Sequence, residues 1–309
     1  MRFTNSARLT GCVALLACAI ALAGCSSAPA PTSPMTGAQI EQASVTTALV
    51  ADPSFLDDGL LGASAPTTAF GARPTGSLAA ITPFTFWRSV TGSDLALAFA
   101  FADSDSTGRP RQADVTVTRH FTGTFNVLPG TGDPMMPDTA HLVHKPLADT
   151  WVRHLRLRRV HVPGTDRLEW RLIAGSLAEV TSHEAATQIV SLRVQATGCD
   201  TTITDPSALW TLPRIRQFAP GDSVTFTATT SNVDDVVIAY WHDHRERFHA
   251  IGDGTHTFVL HVGGDDGGWR WFAVNALSHG TLFDDALPYD SKAWVFGCFI
   301  GPRPDREYF

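Results

Sequence analysis

Leu95-Ala96-Leu97-Ala98-Phe99-Ala100-Phe101 decides the fold class. Large side chains fall on every odd position and alanines on every even one. A period of two belongs to an extended strand and sends the two sets to opposite faces of a sheet. The same period continues through Val115-Thr116-Val117-Thr118 and Phe121-Thr122-Gly123-Thr124-Phe125. Two further strands, Trp151 to Val162 and Arg167 to Ile173, flank Pro163-Gly164-Thr165-Asp166, whose residue types favour a tight turn. Ile189 to Gln195 closes the series. Antiparallel strands with one face in water account for such alternation. The region 49–198 therefore reads as an antiparallel β-sheet domain, either a sandwich or a barrel.

Downstream of Cys199 the strands are shorter and the turns sharper. Pro220-Gly221-Asp222 leads into Val224-Thr225-Phe226-Thr227-Ala228. Val236 to Trp241, a Gly252-Asp253-Gly254 turn, and Thr257 to Val262 follow, then Trp269 to Ala276 and Lys292 to Ile300. Turn signals at this spacing imply a β-sandwich over 199–309. The Pro-Gly-Asp start, Ala239-Tyr240-Trp241 and Val274-Asn275-Ala276 resemble bacterial immunoglobulin-like and PKD-like modules. That resemblance covers about a third of the chain and implies a fold, not an activity. The run ending in Trp170-Arg171-Leu172 resembles the sheets of cystatin- or NTF2-like α+β domains, so a helix-covered sheet is the alternative for 49–198. Either way the protein is expected to be mainly β.

The N-terminus supplies an address. Arg2 and Arg8 precede an uncharged, mostly apolar run from Gly11 to Gly24, shorter than the roughly 20 residues a permanent span needs. The run ends in Leu22-Ala23-Gly24-Cys25, which resembles the lipobox of bacterial lipoproteins. The resemblance implies that residues 1–24 are a signal peptide, that Cys25 carries a diacylglyceryl group and a further acyl chain such as palmitate, and that the protein is held at a membrane of the cell envelope. Ser26 stands where an Asp would signal inner-membrane retention, which favours the outer membrane of a two-membrane cell. The stretch 25–48 reads as a tether: Ser26 to Pro34 is Ser, Ala, Pro and Thr alone, too polar and too small to bury a core. As a coil it would reach of order 25 Å. Ala38 to Val50 carries a weak helical pattern within and just beyond it.

Charge narrows the partners. The chain carries a formal net charge of −7, and loss of Arg2 and Arg8 with the signal takes it to −9. Residues 43–198 hold 14 acids and 13 bases, and those from Cys199 onward hold 15 acids and 8 bases. Nucleic acid is excluded as a natural partner by that balance. A membrane reached through the lipid, an envelope protein or a glycan remains. With Cys12 and Cys18 lost and Cys25 acylated, only Cys199 and Cys298 are left, and in an oxidising compartment they are expected to form a disulfide.

Candidate sites follow from the loops. Strands starting at Val224, Val236, Thr257, Trp269 and Lys292 would gather Asp234, Asp235, Asp284, Asp285 and Asp290 at one pole, an oxygen-rich set that suits Ca²⁺. Solvated turn residues are the plainer reading, and no cofactor is required. His242 and His244, at a strand end, are spaced to chelate Zn²⁺ or Cu²⁺. His154, Arg156 and Arg158 share one face of a strand and could grip an anion. Asp103-Ser104-Asp105-Ser106-Thr107-Gly108 has some calcium-loop spacing but strand-like flanks, and reads as a hairpin turn. Neither G-x-S-x-G, H-E-x-x-H, a P-loop nor C-x-x-C occurs, so no catalytic residue is assigned.

The function expected is a lipid-anchored envelope protein with a non-enzymatic binding or structural role. The alternative is an envelope hydrolase or carbohydrate-active enzyme with its site in 49–198. A deep pocket in 49–198 with paired carboxylates or a Ser/His pair would favour the enzyme; a shallow aromatic or charged surface would favour binding.

Overall fold

The alternating run lies inside a 22-residue strand. The computed structural model describes residues 36–51, 56, 61, 81–130, 136–162, 164–211, 217–241, 244–263 and 267–301. The chain divides into two compact units, Met1–Ile40 and Glu41–Phe309. The lipobox, residues 25–35 of the expected tether and His242 lie outside the described residues.

An opening helix α1 (Gly37–Ala51) precedes four long strands: β1 (Pro83–Ser104), β2 (Pro110–Pro129), β3 (Val143–His161) and β4 (Leu168–Ser182). Shorter strands follow: β5 (Ile189–Ala196), β6 (Cys199–Ile203), β7 (Trp210–Thr211), β8 (Gln217–Phe218) and β9 (Ser223–Thr230). The remainder is β10 (Val236–Trp241), β11 (His244–Arg247), β12 (His249–Gly252), β13 (Thr255–His261), β14 (Gly268–Leu277), helix α2 (His279–Phe283) and β15 (Ser291–Ile300). The protein is mainly β, in two sheets whose pairings are antiparallel except for the short contact of β8 with β15. One sheet runs β1-β2-β3-β4-β15-β14-β10-β11, and the other runs β12-β13-β9-β5-β6.

Two cores explain the burial. The first contains Phe86, Val117, Trp151, Leu155 and Val180 from the long strands, with Ile238, Ala273 and Val295 from the later ones. The second contains Val237, Val274, Trp294 and Phe296 from the same later strands, opposite Leu192, Val194, Phe226 and Leu260 of the smaller sheet. So β10, β14 and β15 are walls shared by both cores. Every residue of β10 is buried, because alternate side chains enter different cores. A strand with two apolar faces reads as a continuous apolar run, and Val236-Val237-Ile238-Ala239-Tyr240-Trp241 does so.

The strands expected at Val224 and Thr257 pair with each other, and those at Val236, Trp269 and Lys292 form the other layer in the order β10-β14-β15. The position taken as a domain boundary, 198/199, falls in the tight connection between β5 and β6, where Ala196 pairs with Cys199. Strands from both sides of it share each sheet: β4 pairs with β15, and β5 pairs with β9. Part of the stretch expected as a tether falls in helix α1. Residues 37–51 are helical, and Val45 and Leu49 enter the first core at 0% and 2% exposure. Glu41 of the same face meets the guanidinium of Arg159. Three side chains at spacing four form the helical stripe that a Thr-, Ala- and Gln-rich sequence makes faint.

The expected disulfide is not formed. Cys199 and Cys298 are free thiols on different sheets. Cys298 belongs to the second core, where burial pushes its thiol up to about 12, while Cys199 opens the edge strand β6. The Asp103–Arg109 stretch is the hairpin turn expected between β1 and β2: the Asp105 carboxylate accepts from the amides of Thr107 (2.8 Å) and Arg109 (3.0 Å).

Candidate functional site

A cleft arises where the larger sheet forks. β4 pairs with β15 only from Ala178 to Thr181, opposite Lys292 to Val295. Beyond Ala178 the strand is bulged: Ser176 and Leu177 together oppose His154 of β3, and Ile173 is a second extra residue. Bulges bend a strand and raise its twist, and β4 leaves β15 at this point. Two short strands meet the parted ones. β7 pairs with Ala174 and Gly175 of β4, and β8 joins β15 at Phe299 and Ile300. Phe296, Gly297 and Cys298 lie between the two pairings, along the fork.

Aromatic rings wall the gap. Trp269 and Trp271 project from β14 in an edge-to-face pair with centroids 5.2 Å apart, and Trp210 of β7 stands across from them. All three indoles are half-buried. Gly297 makes their arrangement possible, since a Cβ there would lie 2.0 Å from Cζ2 of Trp269. A glycine within a strand commonly marks such a close approach. Leu177, Val194, Ile203 and Phe296 add aliphatic and aromatic surface from the second core. The cleft holds about 50 Å³ at its heart and about 550 Å³ with its open mouth.

One cation lies on its wall. Arg153 of β3 is 1% exposed, and its guanidinium sits 4.5 Å from the ring centre of Trp271 and 5.2 Å from that of Trp151. One Nη also faces the Val295 carbonyl at 3.4 Å. Ring quadrupoles stabilise a buried cation in that position. Among the described residues lining the cleft there is no carboxylate and no histidine. Ser176 is the remaining polar side chain there besides the indole N–H groups; its hydroxyl donates to Leu177 O at 2.6 Å and accepts from the His154 amide at 2.9 Å.

The acidic pole comes together only in part. Asp290 is buried, and its carboxylate accepts from Ser182 Oγ (3.1 Å) and from the amide and hydroxyl of Thr187 (both 3.0 Å). Asp235 is buried nearby, its carboxyl pushed up to about 6 chiefly by burial, with Asp234 and Asp290 adding repulsion. Asp284 accepts from the amides of Ala286 and Leu287, and its carbonyl accepts from Lys145 Nζ at 2.6 Å. Asp285 is exposed. No group of three His, Cys, Asp or Glu side chains placed to hold a metal ion occurs among the described residues. His244 is exposed at the β10–β11 turn.

On the cationic strip, Arg156 is engaged by Asp114 through two contacts (2.6 and 3.1 Å), and His154 Nδ1 lies 3.2 Å from Thr116 Oγ1. Arg158 is exposed and borders an open basin with Arg111 and His161. A separate polar knot of Arg88, Asp149, Tyr289 and Ser291 is wholly inside the first core. Arg88 Nη1 lies 3.3 Å from Asp149, and Tyr289 OH 2.7 Å from Ser291 Oγ. It ties β1, β3 and the start of β15 together and has no opening to solvent.

Arg153 and Trp210 are cleft residues that sequence reasoning missed, and Trp269 and Trp271 had been placed only within a strand. A usable signal was Phe296-Gly297-Cys298, a glycine inside a strand that faces Trp271 in register.

The class defined by these features is a mainly antiparallel β protein with an aromatic cleft at a fork in its larger sheet. No protein-family model, no curated protein and no solved structure matches the chain.

Proposed function

We propose that this is a lipid-anchored protein of the cell envelope with a non-enzymatic binding role, attached through Cys25 and presenting the cleft of Trp210, Trp269, Trp271 and Arg153 to a ligand. One observation carries the binding part: the cleft is aromatic and cationic, and its described lining offers no carboxylate, histidine, lysine or cysteine, the usual acid–base and nucleophilic groups. The anchor rests on Leu22-Ala23-Gly24-Cys25 following its apolar run. Two or more acyl chains make membrane attachment stable where one does not. No helix among the described residues is long and apolar enough to cross a membrane. The immunoglobulin-like likeness of 199–309 stays part of the proposal; what supports it is the pairing of β9 with β13, of β10 with β14 and of β14 with β15.

Expression of the whole chain in a two-membrane bacterium tests the anchor. The wild-type protein should sediment with membranes and gain the mass of a diacylglyceryl-modified Cys25, and Cys25→Ala should be soluble or unprocessed with no lipid mass. A Cys25→Ala protein that is processed and still held by membranes overturns the anchor.

A further inference from the structure

We propose that two copies of this chain pair through the free edge of β1, antiparallel over residues 92–104, about a two-fold axis that passes through Ala98 and stands perpendicular to the sheet. The proposal depends neither on the lipid anchor nor on the cleft.

The edge carries none of the usual protection. β1 ends the larger sheet, and among the described residues β2 is the only strand paired with it. An edge strand offers a row of backbone N–H and C=O groups to any other extended chain, and proteins guard such edges by shortness, charge, proline or a bulge. The other three sheet ends are guarded in this way. β11 is the four residues His244-Arg245-Glu246-Arg247, three of them charged. β12 is also four residues long, and its register shifts between Ala250 and Gly252. β6 has five residues, and its Asp200 is held by Arg193 at 2.6 Å. β1, by contrast, is 22 residues long. Over residues 95–102 it has no charge, no proline, no glycine and no shift in its register with β2.

The same stretch is incompletely covered. Ala96, Ala98, Ala100 and Ala102 are exposed on one face. On the other, Leu95 is 40% exposed, while Leu97, Phe99 and Phe101 are only half-buried beside the first core. The rings of Phe99 and Phe101 stack with centroids 6.2 Å apart. One more strand alongside would cover this row with cross-strand contacts.

The order of residues points to a second copy as that strand. Antiparallel pairing about this axis keeps the faces of both copies aligned. Leu95 then opposes Phe101 of the second copy, Leu97 opposes Phe99, and Ala96 opposes Ala100. Large meets large on one face and alanine meets alanine on the other. Moving the axis by one residue spoils the match: at Leu97 it sets Phe101 against Ser93, and at Phe99 it sets Leu95 against Asp103. Charge agrees with the central position. The acids that bracket the run face neutral residues, Asp94 opposite Ala102 and Asp103 opposite Ser93, so no like charges meet across the seam.

The gain is sufficient for a dimer. An antiparallel ladder over residues 92–104 adds about twelve backbone hydrogen bonds, within the range of an ordinary protein interface. Each copy has one unguarded edge, and a two-fold pair uses up both, so the assembly closes at two and no fibre grows.

Cysteine cross-linking of the whole chain in cells, in a Cys199→Ser background, tests the pairing and its register. Ala98→Cys should link to itself through a short thiol cross-linker, because residues on the axis lie about 5 Å apart. Ala96→Cys and Ala100→Cys, each expressed alone, stand about 14 Å from their own copies and should link at least tenfold less. Expressed together, they should link to each other. Native mass spectrometry of the detergent-extracted chain should give twice the chain mass. Ala98→Lys, at an exposed position, should keep its circular dichroism and lose at least nine-tenths of the dimer, since two ammonium groups then oppose each other. A monomer by mass, an unlinked Ala98→Cys, Ala96→Cys linking to itself as strongly as Ala98→Cys, a dimer indifferent to Ala98→Lys, or Ala98→Cys captured by a different protein would each overturn the proposal. Lipid mass is read from the same spectra, so the anchor can fail while the dimer stands, and the reverse.

Discussion

The indole of Trp269 lies directly against the main chain of Gly297, so close that no larger residue fits opposite it: a Cβ would stand 2.0 Å from one ring carbon and 2.4 Å from the next. Both contacts are far inside van der Waals range, so Gly297→Ala must displace the ring or the strand. Overpacking of this kind costs about 1–3 kcal/mol. The variant should unfold at lower urea and show altered near-ultraviolet circular dichroism from the tryptophans. Unchanged values in both would mean the ring does not lie there.

Helix α1 should behave as part of the fold. Leu49 is 2% exposed and belongs to the first core, so Leu49→Ala is expected to destabilise the protein by about 2–5 kcal/mol in urea unfolding. A tether would give no change at all.

Stability should fall as pH rises from about 4 to about 6. Burial pushes the Asp235 carboxyl up to about 6, while an unfolded aspartate titrates near 3.9. Within that window the folded chain holds a proton that the unfolded chain has released, so protonation favours the folded state and the advantage disappears as pH climbs. Two pH units correspond to roughly 3 kcal/mol at most. Asp235→Asn keeps an acceptor for the Asn232 side chain and removes the ionisation. The variant should therefore gain on the wild type at pH 7 and lose that gain at pH 4.5, measured by urea midpoints.

The two thiols should differ sharply in reactivity. Burial raises the Cys298 thiol to about 12 and encloses it, whereas Cys199 is partly exposed. Brief treatment of the native protein with iodoacetamide should label Cys199 alone, and unfolding without a reductant should add Cys298. Peptide mapping by mass reads both. Failure of either to label in denaturant until a reductant is added would indicate a disulfide.

Strand chemistry was legible wherever one face is wet. The alternation from Leu95 to Phe101, the turn at Gly164–Asp166 and the Asp105 turn all stand in the structure where the residues put them. The sharing of strands was harder to see. Val236 to Trp241 is apolar throughout because two cores need it, yet a run of six apolar residues looks the same in a simple sandwich. The join of β4 to β15 links residues more than 110 positions apart, and periodicity carries no information about such partners. Helix α1 left only a weak pattern in the sequence because its buried stripe includes Glu41, whose charge is met by Arg159, a residue that only the fold brings near. In the sequence Asp290 reads only as one of several loop carboxylates; its partners Ser182 and Thr187 lie more than 100 positions away, where the sequence does not show them. Arg153 hid for the opposite reason: on a strand rich in arginine it resembled its solvated neighbours, though its position beside Trp151 and opposite Val117 turns it inward.

β15 lies mid-sheet, between β4 and β14, and carries side chains into both cores. In sequence it is the last of the described strands. Any machine that delivers the chain from its N-terminus, ribosome or translocon, hands over this piece after all the others. Until then β1 to β4 can close as local hairpins and β10 can find β14, but the two halves have nothing between them. Non-local contacts of this kind form slowly because a long loop must close first. The strand that joins the two cores is therefore the last of the described strands to leave the ribosome.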